Sequence, residues 1–95
     1  MADYRLSRRA SRDLDEIWDY SEQTWSIEQA ETYTRQIRAT IERLAERKIS
    51  GRPYKGRITC QRYTVGSHHL YFDWSDLGLV VIRILHARRD PNLHL

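Results

Sequence analysis

A single cysteine, Cys60, in 95 residues means that no disulfide can close within the chain and no cysteine-rich zinc module can be built. Glycine (4) and proline (2) are scarce, which excludes collagen-like and low-complexity chains. The longest apolar run, Leu77 to Ile82, is interrupted by Gly78 and is far too short to span a membrane. The first two dozen residues are heavily charged and lack the apolar stretch of a secretory signal. Also missing are the nucleophile elbow, the P-loop, the H-E-x-x-H zinc motif and the dinucleotide glycine motif, so no catalytic fingerprint is present. These absences lead to an expectation of one cytoplasmic domain over residues 1–95, with no cofactor, no metal and no membrane binding. A second core would leave both too small to hold together.

What is there is ordinary in amount and uneven in placement. Hydrophobic residues make up 40% and charged residues 31%, a globular composition. Residues 1–47 carry 8 basic against 10 acidic side chains, a net of −2; residues 48–95 carry 8 against 3, a net of +5. All four histidines fall in the basic half, and 14 of the 16 cationic residues are arginine. Arginine's planar fork suits carboxylate or phosphate, so the basic half points to an anionic partner, nucleic acid or an acidic protein segment. A mildly basic surface without a partner is the plainer reading of a net +3.

Hydrophobic period divides the chain. Ser7 stands at an N-cap position, followed by Ala10, Leu14, Ile17, Trp18 and Ser21 on one helix face, with Asp13, Asp15, Glu16, Asp19 and Glu22 on the others. Ser26 and Gln29 form a capping box before a second stripe of Ala30, Tyr33, Ile37, Ile41, Leu44 and Ala45. Thr24-Trp25 leaves room only for a tight antiparallel turn, and Ser50-Gly51-Arg52-Pro53 ends the helical region.

From Arg57 onward the period falls to two. Gly66-Ser67 marks a two-residue hairpin, pairing Val65 with His68, Tyr63 with Leu70 and Arg62 with Tyr71. Reading Asp76-Leu77-Gly78 as a three-residue loop pairs Tyr71 with Arg83 and keeps Leu70, Phe72 and Trp74 on one face with Val80, Ile82 and Ile84. Ile58 and Cys60 then have the wrong parity, which a bulge before Tyr63 would reconcile. The expected fold is α+β: an N-terminal helix hairpin packed on one face of a small antiparallel sheet.

The opposite face should carry Arg62, Tyr71 and Arg83 in one row, flanked by His69 and Asp73. Two guanidinium groups and a ring could grip a phosphate or a peptide carboxylate. Alternatively, Asp73 pairs diagonally with Arg83 and the face is merely solvated. Arg88 and Arg89 either meet an anionic partner or solubilise a strand end. Parity sends His68 and His69 to opposite faces and His86 to the core side, which does not assemble a metal site with Cys60; the thiol reads as small and buried. Trp18, Trp25 and Trp74 read as packing.

Leu6-Ser7, Ala10, Asp13-Leu14 and Ile17-Trp18, then Tyr20, Trp25 and Gln29-Ala30, resemble the opening of ParE-type toxins of the RelE/ParE superfamily. Gly66-Ser67-His68 before an aromatic strand, and Arg83-Ile84-Leu85-His86 followed by Arg88-Arg89-Asp90, resemble its close. Asp73, where a basic residue is common, and the order Tyr71-Phe72 depart from the pattern. The resemblance implies the toxin of a type II toxin–antitoxin module, not an enzyme, which poisons DNA gyrase and is neutralised by a ParD-like antitoxin in a hetero-oligomer. Nucleic-acid contact is compatible with this reading but not required. It leaves Arg62, His69, Tyr71, Arg83, Arg88 and Arg89 as the antitoxin- or target-binding candidates. The RelE branch implies a ribosome-dependent mRNA endoribonuclease instead, for which His69 and Tyr71 would have to serve as base and acid. A diverged, inactive toxin is the third expectation.

Overall fold

Ser7 and Ser26 begin the two long helices by accepting hydrogen bonds, each 3.0 Å, from the backbone N–H groups of Ala10 and Gln29. The computed structural model describes residues 3–95. In chain order the elements are β1 (Tyr4–Leu6), α1 (Arg8–Thr24), α2 (Ile27–Ala45), β2 (Arg52–Lys55), β3 (Thr59–Val65), β4 (His68–Ser75), β5 (Gly78–His86) and α3 (Pro91–His94). The strands form one sheet in the order β1-β5-β4-β3-β2.

The stripes read from periodicity face the sheet. Ala10, Leu14 and Ile17 of α1 and Ile37, Ile41, Leu44 and Ala45 of α2 pack on Val65, Leu70, Phe72, Leu79, Val81 and Ile84. The tryptophans depart from the packing expectation by degrees. Trp18 is half-buried, whereas Trp25 is 70% exposed and closes α1 only through its backbone N–H. Trp74 sits at the rim, with the Arg47 guanidinium 3.9 Å from its ring centre.

The sheet is antiparallel except at one edge, and both edge strands lie outside the two expected hairpins. β1 runs parallel to β5, matching Tyr4 to Leu79 and Leu6 to Val81. It comes in so close that a Cβ on Gly78 would lie 2.3 Å from the Asp3 carbonyl oxygen, and Gly78 takes a positive φ of 124°. At the other edge β2 runs through Pro53, within the segment read as a helix breaker. Proline is tolerated in an edge strand because its missing N–H is not needed on the open side.

The β3–β4 register is as read: Val65 opposite His68, Tyr63 opposite Leu70, Arg62 opposite Tyr71. Tyr71 also lies opposite Arg83, but the route there differs. The turn between β4 and β5 holds two residues, with Ser75 opposite Gly78, and a register shift between Tyr71 and Phe72 restores the count. The bulge therefore falls at this hairpin and not in β3. Leu79 and Val81 enter the main core in place of Val80 and Ile82.

Ile58 and Cys60 keep the parity that put them outside that core, and they have a core of their own. On the outer face Cys60, Tyr71 and Leu85 are buried among Tyr54, Ile58, Ile82 and Leu95. The C-terminal segment closes this second cluster. Asp90 caps α3 by accepting from Asn92 N–H, and Asn92 Oδ1 accepts from Arg57 N–H at 2.9 Å, which seats Leu95 on the sheet.

Candidate functional site

The row of Arg62, Tyr71 and Arg83 exists as backbone register, but its side chains have separate fates. Tyr71 is fully buried, with the Tyr54 ring edge-on at 5.3 Å, so no partner touches it directly. Arg83 turns to α1 and forks onto Asp13, Nε to Oδ2 at 2.8 Å and Nη2 to Oδ1 at 2.9 Å. Its Nη1 donates to the His94 carbonyl at 3.0 Å. Asp13 Oδ2 also accepts the Ile84 backbone N–H at 2.9 Å. Asp13, read as filling a solvent face, is thus buried at the sheet edge, where its carboxylate stands in for a neighbouring strand. Those hydrogen bonds hold the Arg83 proton more tightly than usual. The diagonal Asp73–Arg83 pair does not form; Asp73 accepts from the Trp74 N–H.

The expected bare pair of arginines is therefore corrected: Arg83 is internally neutralised because α1 lies along β5 and brings the Asp13 carboxylate within reach of its guanidinium. Arg62 remains, half-buried, with its guanidinium 5.4 Å from the Tyr54 ring centre. Beside it His69 Nδ1 lies 2.8 Å from Thr64 Oγ1, and burial followed by the Arg62 charge lowers the His69 pKa. Cys60 lies under the same face, and burial pushes its thiol pKa up, away from the nucleophilic thiolate.

Arg88 and Arg89 lie apart from that group, in a concavity of their own. It is a cleft of about 540 Å³ between α1 and the end of β5, lined on one side by Ile17, Tyr20 and Glu16 and on the other by His68, His86 and both arginines. Sequence reasoning missed this cleft as a site. One signal was available: Tyr20, 66% exposed, is an aromatic off the buried stripe of α1.

His68 lines the cleft and is held from behind by Tyr33 of α2. Gly66 has a φ of 56°, and a Cβ there would meet the Tyr33 ring at 2.6 Å, so the turn presses directly on α2. The Tyr33 hydroxyl accepts the Ser67 N–H at 3.0 Å and lies 2.6 Å from His68 Nδ1. The His86 ring stands edge-on to His68 at 5.3 Å. Burial first, and His86 second, hold the His68 pKa down to about 4. A lowered pKa means that the unfolded chain takes up the proton first as pH falls. Stability from neutral His68 is therefore complete above the ordinary value of 6.5 and is lost between there and about 4. Replacing His68 with Gln should flatten that decline by about 1 kcal/mol, discounted for partial exposure. Urea midpoints measured at either end of the window check it, and an unchanged slope would refute it.

Comparison with known proteins gives a consistent picture. Residues 4–91 match the family model described as the ParE toxin of the type II toxin–antitoxin system, parDE. The chain is 42% identical over 95 residues to Toxin ParE1 of Caulobacter vibrioides, covering 100% of this chain and 99% of that one. It is 35% identical over 94 residues to Toxin ParE1 of Mycobacterium tuberculosis, covering 97% and 96%. Among solved structures, the chromosomal ParDE system from P. aeruginosa superposes with a TM-score of 0.77 at 21% identity, over 90% of this chain and 96% of that one. The toxin–antitoxin complex RelBE2 from Mycobacterium tuberculosis does so with 0.58 at 18% identity, over the same shares. At those identities the structural likeness speaks for the fold alone.

Proposed function

The chain belongs to the ParE toxin family of type II toxin–antitoxin systems, and on that premise we propose that it halts growth by binding and poisoning DNA gyrase. A ParD-like antitoxin would neutralise it. In this reading residues 1–95 act as one toxin domain in the cytoplasm, where gyrase and DNA are found. The described residues contain no helix long and apolar enough to cross a membrane.

The observation that carries the proposal is the full-length likeness to ParE1, a named toxin and not a named enzyme. Geometry supports action by contact over action by catalysis. Cleaving RNA through its 2′-hydroxyl needs a base and an acid that both reach the substrate. On the outer face Tyr71, which the ribonuclease reading needs as the acid, is buried, and Arg83 is paired with Asp13. Arg62, His69, Arg88 and Arg89 are the accessible contact residues, while Tyr71 and Arg83 act from beneath by holding the face in shape.

A supercoiling assay with purified toxin and gyrase tests this. The expected result is loss of supercoiling with accumulation of cleaved DNA, reversed by the antitoxin encoded beside this gene. Ribosome-dependent cuts in message with gyrase untouched would overturn it in favour of the RelE-like activity. Expression that harms no cells would overturn it in favour of an inactive toxin.

A further inference from the structure

Residues 43–57, from the last turn of α2 through β2, carry six basic side chains against one acidic, a net of +5 that exceeds the +3 of the whole chain. The one carboxylate, Glu46, reaches Lys48 at 3.6 Å. Asp73, on the outer sheet face, accepts the Trp74 N–H. Among the described residues, no ion pair involves Arg47, Arg52, Lys55, Arg57 or Arg62.

Two backbone features hold these charges where local energetics disfavour them. Arg52 lies directly opposite Arg62 in the antiparallel pair of β2 and β3, so two arginines stand side by side on the outer face. Like charges so placed destabilise a strand pair unless an anion joins them. Arg47 closes α2 in a Schellman turn: its N–H donates to the Leu44 carbonyl and the Lys48 N–H to the Arg43 carbonyl, each at 3.0 Å. That turn requires a left-handed residue, usually glycine, and Arg47 takes it with a φ of 60°. Its guanidinium lies over the Trp74 ring at 3.9 Å, an arrangement that leaves the N–H edges of the fork free for an acceptor. A recess of about 230 Å³ joins the two features. Arg47, Ser50, Gly51, Gln61 and Trp74 line it, and Arg52 follows Gly51 directly.

The chemistry selects the guest. None of the exposed large apolar side chains belongs to residues 43–57, so a protein partner would find little apolar surface to bury there. Arginines without counter-ions, beside one partly exposed ring, suit a phosphodiester chain. We propose that the corner made by the end of α2, the turn after it and β2 binds the sugar–phosphate backbone of DNA, with Arg47, Arg52, Lys55 and Arg62 on the phosphates. The proposal rests on the gyrase half of the proposed function, because DNA held by gyrase is the backbone in reach. A toxin that touches both enzyme and DNA holds the two together, which favours the cleaved complex over its release.

The test uses the full-length toxin and a short fluorescent DNA duplex, followed by anisotropy over a range of salt. The affinity should fall with salt along a logarithmic slope of about −3.6, the value for four phosphate contacts. Arg52→Glu/Lys55→Glu should weaken binding by about tenfold or more and make the slope shallower by about 2. The melting temperature should hold, since both side chains are exposed. Arg12→Glu/Arg35→Glu makes the same charge change at exposed positions of α1 and α2, and should cost less than about threefold at physiological salt. Arg47→Gly should weaken binding by about threefold or more while the melting temperature holds or rises, because glycine fits the left-handed turn. A purely structural Arg47 would give the reverse pattern and overturn its role. Absence of duplex binding at low salt, or equal losses from the two charge-reversed pairs, overturns the corner. If Arg52→Glu/Lys55→Glu traps cleaved DNA on gyrase as well as the parent does, the DNA contact falls and the gyrase reading stands. Duplex binding that depends on the corner, with gyrase untouched, supports the site and overturns the gyrase reading. Binding to gyrase without DNA that depends on the same residues overturns the choice of DNA over protein.

Discussion

Replacing Asp13 with alanine should destabilise the protein by about 3–5 kcal/mol, the range for removing one partner of a buried ion pair. The paired side chains are 13% and 9% exposed, Arg83 first, so the guanidinium left behind would find little water. Two further losses add to it: the fork geometry of the pair and the acceptor for the Ile84 N–H at the sheet edge. Arg83→Ala should be nearly as damaging, because it strands the carboxylate instead. Joint replacement with apolar residues of similar volume, Asp13→Leu with Arg83→Met, should recover most of the loss. Desolvating two charges offsets much of what their attraction returns. Urea unfolding of the four proteins as a double-mutant cycle decides the matter. A single-variant loss under about 1 kcal/mol would mean the pair behaves as a surface bridge and the burial argument fails.

Tyr71→Ala should cost a similar amount, about 3–5 kcal/mol, the range for truncating a fully buried aromatic. The ring fills the outer cluster between Cys60 and Leu85 and presents its side to Tyr54. Truncation would leave a cavity beneath the C-terminal segment, and the seat of Leu95 would loosen with it. Tyr71→Phe keeps the volume, and should change stability by less than about 1.5 kcal/mol while leaving antitoxin and gyrase binding as they were. That second variant separates a packing role from a contact role. If Tyr71→Phe folded normally and lost binding, the hydroxyl would be touching a partner, and the burial seen here would not describe the active form.

These two residues mark where sequence reasoning reached its range. Arg62, Tyr71 and Arg83 were placed in one row by counting residues, and the register bears that out. Counting could not say which of the three would be reachable. Asp13 sits among other acidic residues on α1, and nothing local distinguishes it from Asp15 or Glu16. Its partner is 70 positions away. The cleft is equally non-local, since Tyr20 and Arg89 meet only after the sheet has formed beneath α1.

The helix hairpin, its caps, its buried stripes and the Gly66-Ser67 turn were legible in the chain because each depends on residues within a few positions of one another. Side-chain period and turn chemistry are properties of short segments, and they need no knowledge of what the segment packs against. The parallel docking of β1, the bulge opposite Tyr71, the second core over Cys60 and the capture of Arg83 by Asp13 were settled only in three dimensions. Each is a contest between distant segments for one strand edge or one sheet face, and its winner depends on which pairing leaves the fewest buried polar groups unsatisfied.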